Sequence, residues 1–206
     1  MKLILLLNFV LLCSACTHTR PGALISEQEK VVEVTEIDPD RQTALTKQNF
    51  FQLVQIFDLS PFLYTSRLSI EKNVAPRSHP VLTLNTKFAN SPHKLLAQWL
   101  HQEFHWWANS HPGNIRKAII DLKKIYPQVP KTIQETEKLV YLHFIINYLE
   151  LRSLEKYLGH KEALKVMREM MKEENHYLWV YETVIMQSET VKKVIDANKL
   201  MPPGLI

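Results

Sequence analysis

The stretch "AQWLHQEFHWWANS", residues 97–110, decides how the rest of the chain is read. On an α-helix each residue turns about 100°, so His101 and His105 lie about 40° apart and one turn apart, and two imidazoles can approach one ion from the same face. Trp99, Leu100, Phe104, Trp106, Trp107 and Ala108 make nearly every other direction apolar. A helix of this kind is buried or borders a cleft, so it needs further elements around it.

Those elements are legible on both sides. "TKQNFFQLVQIF" has helical apolar spacing, whereas "FLYTSRLSIE" and "HPVLTLNTKF" alternate with β-branched and aromatic residues and read as two strands, neighbours in a small sheet. "NSPH" then offers Asn90 or Ser91 as a cap and Pro92 for a first turn, so the histidine helix runs from about 92 to Asn109 and stops at "SHPG". Downstream, helices are expected over Asn114 to Tyr126, Thr132 to Leu158, Lys161 to Asn175 and Tyr177 to about Asn198. The fold class is α+β, a mainly helical domain with a small sheet before the histidine helix.

The long helix carries a second signal. Between Leu139 and Leu151 it is apolar almost all round, yet His143, Asn147 and Glu150 fall at i, i+4 and i+7 and share one stripe. Buried polar groups without partners cost roughly 1–3 kcal/mol each, so a shared polar site or ion is expected there. His143 would complete a three-histidine set, and Glu150 a two-histidine, one-glutamate set. They lie about 10 Å apart along the axis, so one ion takes only one of them directly, and spacing does not choose.

The strand followed by a helix with paired histidines, "VLTLNTKF…LLAQWLHQEFHWW", resembles the HExxH zincin metallopeptidases. In that motif a glutamate follows the first histidine and activates the zinc-bound water. Here Gln102 holds that position, and the glutamate stands at Glu103. Relative to the midpoint of the histidines, residue 102 lies about 80° away and residue 103 about 180° away, so Glu103 faces backwards with an ordinary structural role. An amide at 102 can hydrogen-bond water but cannot take its proton. The run from "HPVLTLNT" through "LHFIINYLELRSLEKYLG" to "HYLWVYETVI" also resembles bacterial proteins with a zincin-like site. That resemblance adds Tyr177 and Tyr181 as site residues, since a phenol can stabilise an oxyanion. Zinc is the implied cofactor and a peptide the implied substrate, with Gln102 and Tyr181 beside the reaction. The other reading is a binding or structural module that keeps the metal and has lost hydrolysis.

The N-terminus, "MKLILLLNFVLLCSAC", has a lysine, a short apolar run and small residues, in the order of a secretory signal over residues 1–15. Its end resembles a bacterial lipobox, although Cys13 departs from the leucine of that pattern. The resemblance implies a lipid on Cys16, a membrane-anchored envelope lipoprotein, and an outer-membrane address if the cell has two membranes. Residues 16–45 read as a tether with one short β-like run, "KVVEVTEI", and 46–206 as a single domain.

Composition removes other classes. The 206 residues carry a net charge of only +4, and no Lys/Arg run exceeds two residues, so no nucleic-acid footprint is present. With four glycines there is no glycine-rich phosphate loop, no serine nucleophile elbow is present, and both cysteines lie at the signal end, so NTP-dependent, dinucleotide-dependent and thiol chemistries are disfavoured. The tryptophans read as core or as a membrane-facing rim, and His79, His93, His111, His160 and His176 as solvated.

Overall fold

Two kinds of periodicity build two layers. In the computed structural model, which describes residues 23–25, 31–174 and 177–206, a sheet of four strands lies against helices. The segment expected to be a signal, and Cys16, lie outside the described residues. The strands are β1 (Ala23–Ile25), β2 (Val31–Glu36), β3 (Arg67–Glu71) and β4 (Leu82–Asn85), side by side in that order. β1 pairs antiparallel with β2, while β2–β3 and β3–β4 are parallel. The helices are α1 (Arg41–Ile56), α2 (Pro92–Ser110), α3 (Pro112–Ile125), α4 (Glu137–Leu158), α5 (His160–Glu173), α6 (Leu178–Met186) and α7 (Ser188–Ala197). The fold is therefore α+β and mainly helical, and the two strands expected before the histidine helix are neighbours.

Alternation sets the sheet's faces. Val32, Val34, Leu68, Ile70, Leu82 and Leu84 are buried, while Glu33 and Thr35, which alternate with the β2 valines, are exposed. α1 crosses from β2 to β3 and packs on β2, β3 and α2. The link from β3 to β4 contains no helix. It lays Arg77 along β4 as an antiparallel bridge to Thr83, with backbone bonds of 3.1 and 2.7 Å, which occupies part of that outer edge.

The packed unit extends N-terminally of residue 46. β2 is a strand of the sheet, and α1 starts at Arg41 because Asp40 accepts from the Gln42 and Thr43 amides and Thr43 answers on the Asp40 amide, a capping box. Other boundaries move for similar local reasons. Thr136 caps α4, which starts at Glu137 and not at Thr132, and Ser91 precedes α2 without a side-chain cap bond. Gly159, at φ 76, ends α4 in the left-handed region that favours glycine.

The helix expected over Tyr177 to Asn198 is two, broken at Gln187, where no proline or glycine stands. Gln187 instead accepts a hydrogen bond from the Tyr126 hydroxyl at 3.0 Å, and α7 turns to pack on α3 and α4. α4 is the axis of the helical layer, touching α2, α3, α5, α6 and α7, which explains its apolar surface on every side. Among the described residues no helix is long and apolar enough to cross a membrane.

Candidate metal centre

α2 is held on both flanks before its histidines are considered. Trp99 is buried against Phe50 of α1. Gln98 accepts from the Asn85 amide at 3.2 Å and donates to its side chain at 3.1 Å, tying the helix to the end of β4. On the back, Glu103 is buried, and its Oε2 accepts the Tyr64 and Thr65 amides at 2.8 and 3.2 Å. The angular argument for Glu103 thus describes its place: it anchors the loop before β3 and faces away from the histidines. Trp106 and Trp107 fix other segments, donating to the carbonyls of Ser78 and Leu200.

With α2 fixed, His101 and His105 point toward α4, and His143 meets them. The ligand nitrogens of the three residues lie within 4.8 Å of one another, close enough to bind a metal ion. His101 and His143 are buried and His105 half-buried. The imidazole centroids form a near-equilateral triangle, 5.1 Å from 101 to 105, 5.4 Å from 101 to 143 and 5.2 Å from 105 to 143.

Tautomers follow from the outer partners. The Nδ1 of His143 lies 2.8 Å from the Leu139 carbonyl, which only accepts, so in the neutral ring Nδ1 carries the hydrogen and Nε2 is the acceptor. The Nδ1 of His101 lies 2.9 Å from Glu150 Oε2, and its Nε2 faces the Nε2 of His105 at 3.3 Å. Glu150 is therefore the group behind a histidine, and His143 is the third member of the cluster. Of the two candidates in the helical stripe, His143 stands with the histidine pair and Glu150 meets the outer nitrogen of His101.

The electrostatics differ between the two histidines of α2. Burial, followed by the charges of His101, His143 and His79, pushes His105 down to about 2, so its imidazole is neutral. Burial acts in the same direction on His101, but the hydrogen bond and charge of Glu150, with Glu174 further off, outweigh it and raise the group. Burial raises Glu150 above the usual carboxylate range against the pull of His101, and its Oε1 has no partner. A buried carboxylate behind a histidine whose far nitrogen faces two others is the arrangement that holds and orients metal-ligating imidazoles. The residues fit a metal ion.

The cluster forms part of the wall of a cleft of about 500 Å³, with Gln102, Arg77, Lys87, Glu174 and Tyr177. Tyr177 stacks on His143 with centroids 3.8 Å apart. Tyr181 does not line the cleft. It is fully buried, and its hydroxyl donates to Glu174 Oε2 at 3.1 Å, with burial and then the charges of Glu150 and Glu174 raising it well above the ordinary tyrosine value. Its place is behind Glu174.

Asn147, the middle of the stripe, is completely buried, and neither side-chain polar atom has a partner. The cleft also holds residues to which the sequence reading gives no site role, Glu174 and His79 among them. Glu174 sits in the charged run "KEEN", which looks like any solvated helix end. His79, read as solvated, borders the cleft, stacks on Trp106 at 4.2 Å and lies 2.7 Å from the Asn109 side chain. No family model, curated protein or solved structure matches this chain.

Proposed function

We propose that the protein is a zinc-dependent hydrolase of the cell envelope acting on peptide bonds, held at the membrane by a lipid on Cys16. The observation that carries this reading is the three-histidine cluster beside an open cleft with a carboxylate on its wall. Structural zinc sites are closed by four protein ligands, whereas catalytic sites use three and leave a position for water or substrate. His101, His105 and His143 would hold the ion, and zinc in such a site supplies Lewis acidity toward a carbonyl and lowers the pKa of water.

The chain's own groups divide the rest of the work. Glu174 takes the proton of the attacking water and delivers it to the leaving amine as the C–N bond breaks. Tyr181 holds Glu174 Oε2 from behind, and Glu150 holds His101 in orientation. Gln102, at the position of the usual base, orients water or substrate by hydrogen bonding without taking a proton.

The test is metal content and peptide turnover of the purified chain. Zinc is expected at one per chain, lost in His143→Ala, while Glu174→Gln keeps zinc and loses turnover. A chain without zinc, or a Glu174→Gln variant of unchanged turnover, refutes the reading. The amide at 102 supports a second reading, a metal-stabilised binding domain. Its signature is bound zinc without turnover, and activity gained in Gln102→Glu.

A further inference from the structure

A second cleft, of about 520 Å³, opens on the other side of His105. His79 and His105 line both clefts, so the two adjoin at these residues, as the arms of one groove would. The two arms differ in chemistry. The first carries both signs of charge, Arg77 and Lys87 with Glu173 and Glu174. The second is walled by Ile115 and Ile119 of α3 and Leu139 and Leu142 of α4, with Arg116 and Lys138 at its exposed rim and no acidic side chain in its lining.

The surroundings reinforce that sign. Pro112 at the start of α3 and Lys138 in the first turn of α4 line this arm, and so do Ala108 and Asn109 in the last turn of α2, so two positive helix ends and one negative end border it. Leu139 is 37% exposed, an apolar side chain left to solvent beside a cation. An occupant that satisfies the arm must bring an apolar group for its walls and a negative charge for its rim.

We infer that this arm receives the carboxy-terminal end of a peptide with an apolar last residue and a free carboxylate, so that the groove favours cleavage near a C-terminus. The inference rests on the hydrolase reading for its substrate class. The side chain lies against Ile115, Ile119, Leu139 and Leu142, and the carboxylate meets Arg116 and Lys138. The polar arm takes the part of the peptide before the scissile bond.

The experiment is a methyl-resolved NMR titration of the full chain, with and without zinc, using N-acetyl-leucine, N-acetyl-leucinamide and N-acetyl-aspartate. N-acetyl-leucine should shift the Ile115, Ile119 and Leu142 methyls. Its amide should bind roughly fivefold more weakly, the size expected from two exposed ion pairs. N-acetyl-aspartate should leave these methyls unmoved, and Arg116→Glu with Lys138→Glu should erase the preference for the acid over the amide. Equal binding of acid and amide to the natural chain, or shifts confined to the other arm, overturns the inference. The zinc-free titration reads the arm alone, so it stands even if no zinc binds. Zinc-dependent turnover without preference for a free C-terminus refutes the arm and leaves the hydrolase.

Discussion

Replacing Glu150 with glutamine separates a group behind a ligand from a ligand. The substitution keeps shape and keeps an acceptor for the His101 Nδ1–H, now 2.9 Å from Oε2, but removes the charge. Loss of such an orienting partner weakens metal binding about 10–100-fold, or about 1.4–2.8 kcal/mol. If the proposed zinc site forms, a free zinc concentration one hundred times the parent Kd should stabilise the parent by about 2.7 kcal/mol, and the variant by about 0.4–1.4 kcal/mol. For a chain of this size those figures correspond to zinc-induced Tm shifts of roughly 8 °C and 1–4 °C. Without metal the order changes: Glu150 is a fully buried carboxylate with a partnerless Oε1, so the neutral amide should melt no lower than the parent. Thermal melts with zinc and with chelator, beside a competitive chelator titration, measure both quantities. An unchanged zinc shift in Glu150→Gln refutes the reasoning, as does total loss of zinc there with retention in His143→Ala.

Three further outcomes follow from other parts of the fold. Glu103→Ala leaves the Tyr64 and Thr65 amides without their acceptor and should destabilise by about 3 kcal/mol in urea melts, with zinc stoichiometry unchanged. The Lys72 hydrogen bond, followed by the Thr43 amide, holds Asp40 down from 3.8 to about 2. A depressed folded pKa adds stability above pH 3.8 that is lost as pH falls toward 2, so Asp40→Asn should flatten the stability profile across that interval. Phe104→Ala, at a fully buried position packed on Phe62, should cost about 3–5 kcal/mol by opening a cavity.

The sequence by itself determined the elements and the chemistry each could carry. Period-2 alternation marked β3 and β4, and the 3.6-residue period placed His101 and His105 on one face and Glu103 on the other, because these follow from backbone geometry within one element. It also marked His143, Asn147 and Glu150 as polar positions on a helix apolar all round. Only the tertiary structure decided which of them meets the α2 pair, since that depends on how α4 lies against α2: His143 enters the cluster, and Glu150 takes the His101 Nδ1. Packing likewise broke the last long helix at Gln187 without a local signal and drew β2 into the sheet from a polar segment. His79 reads as solvated and Glu174 carries no signal of its own, because neighbours in sequence say nothing of what folds over them. Their places in the cleft come from the end of α5 and the link before β4 converging on α2, a long-range arrangement that no local period encodes.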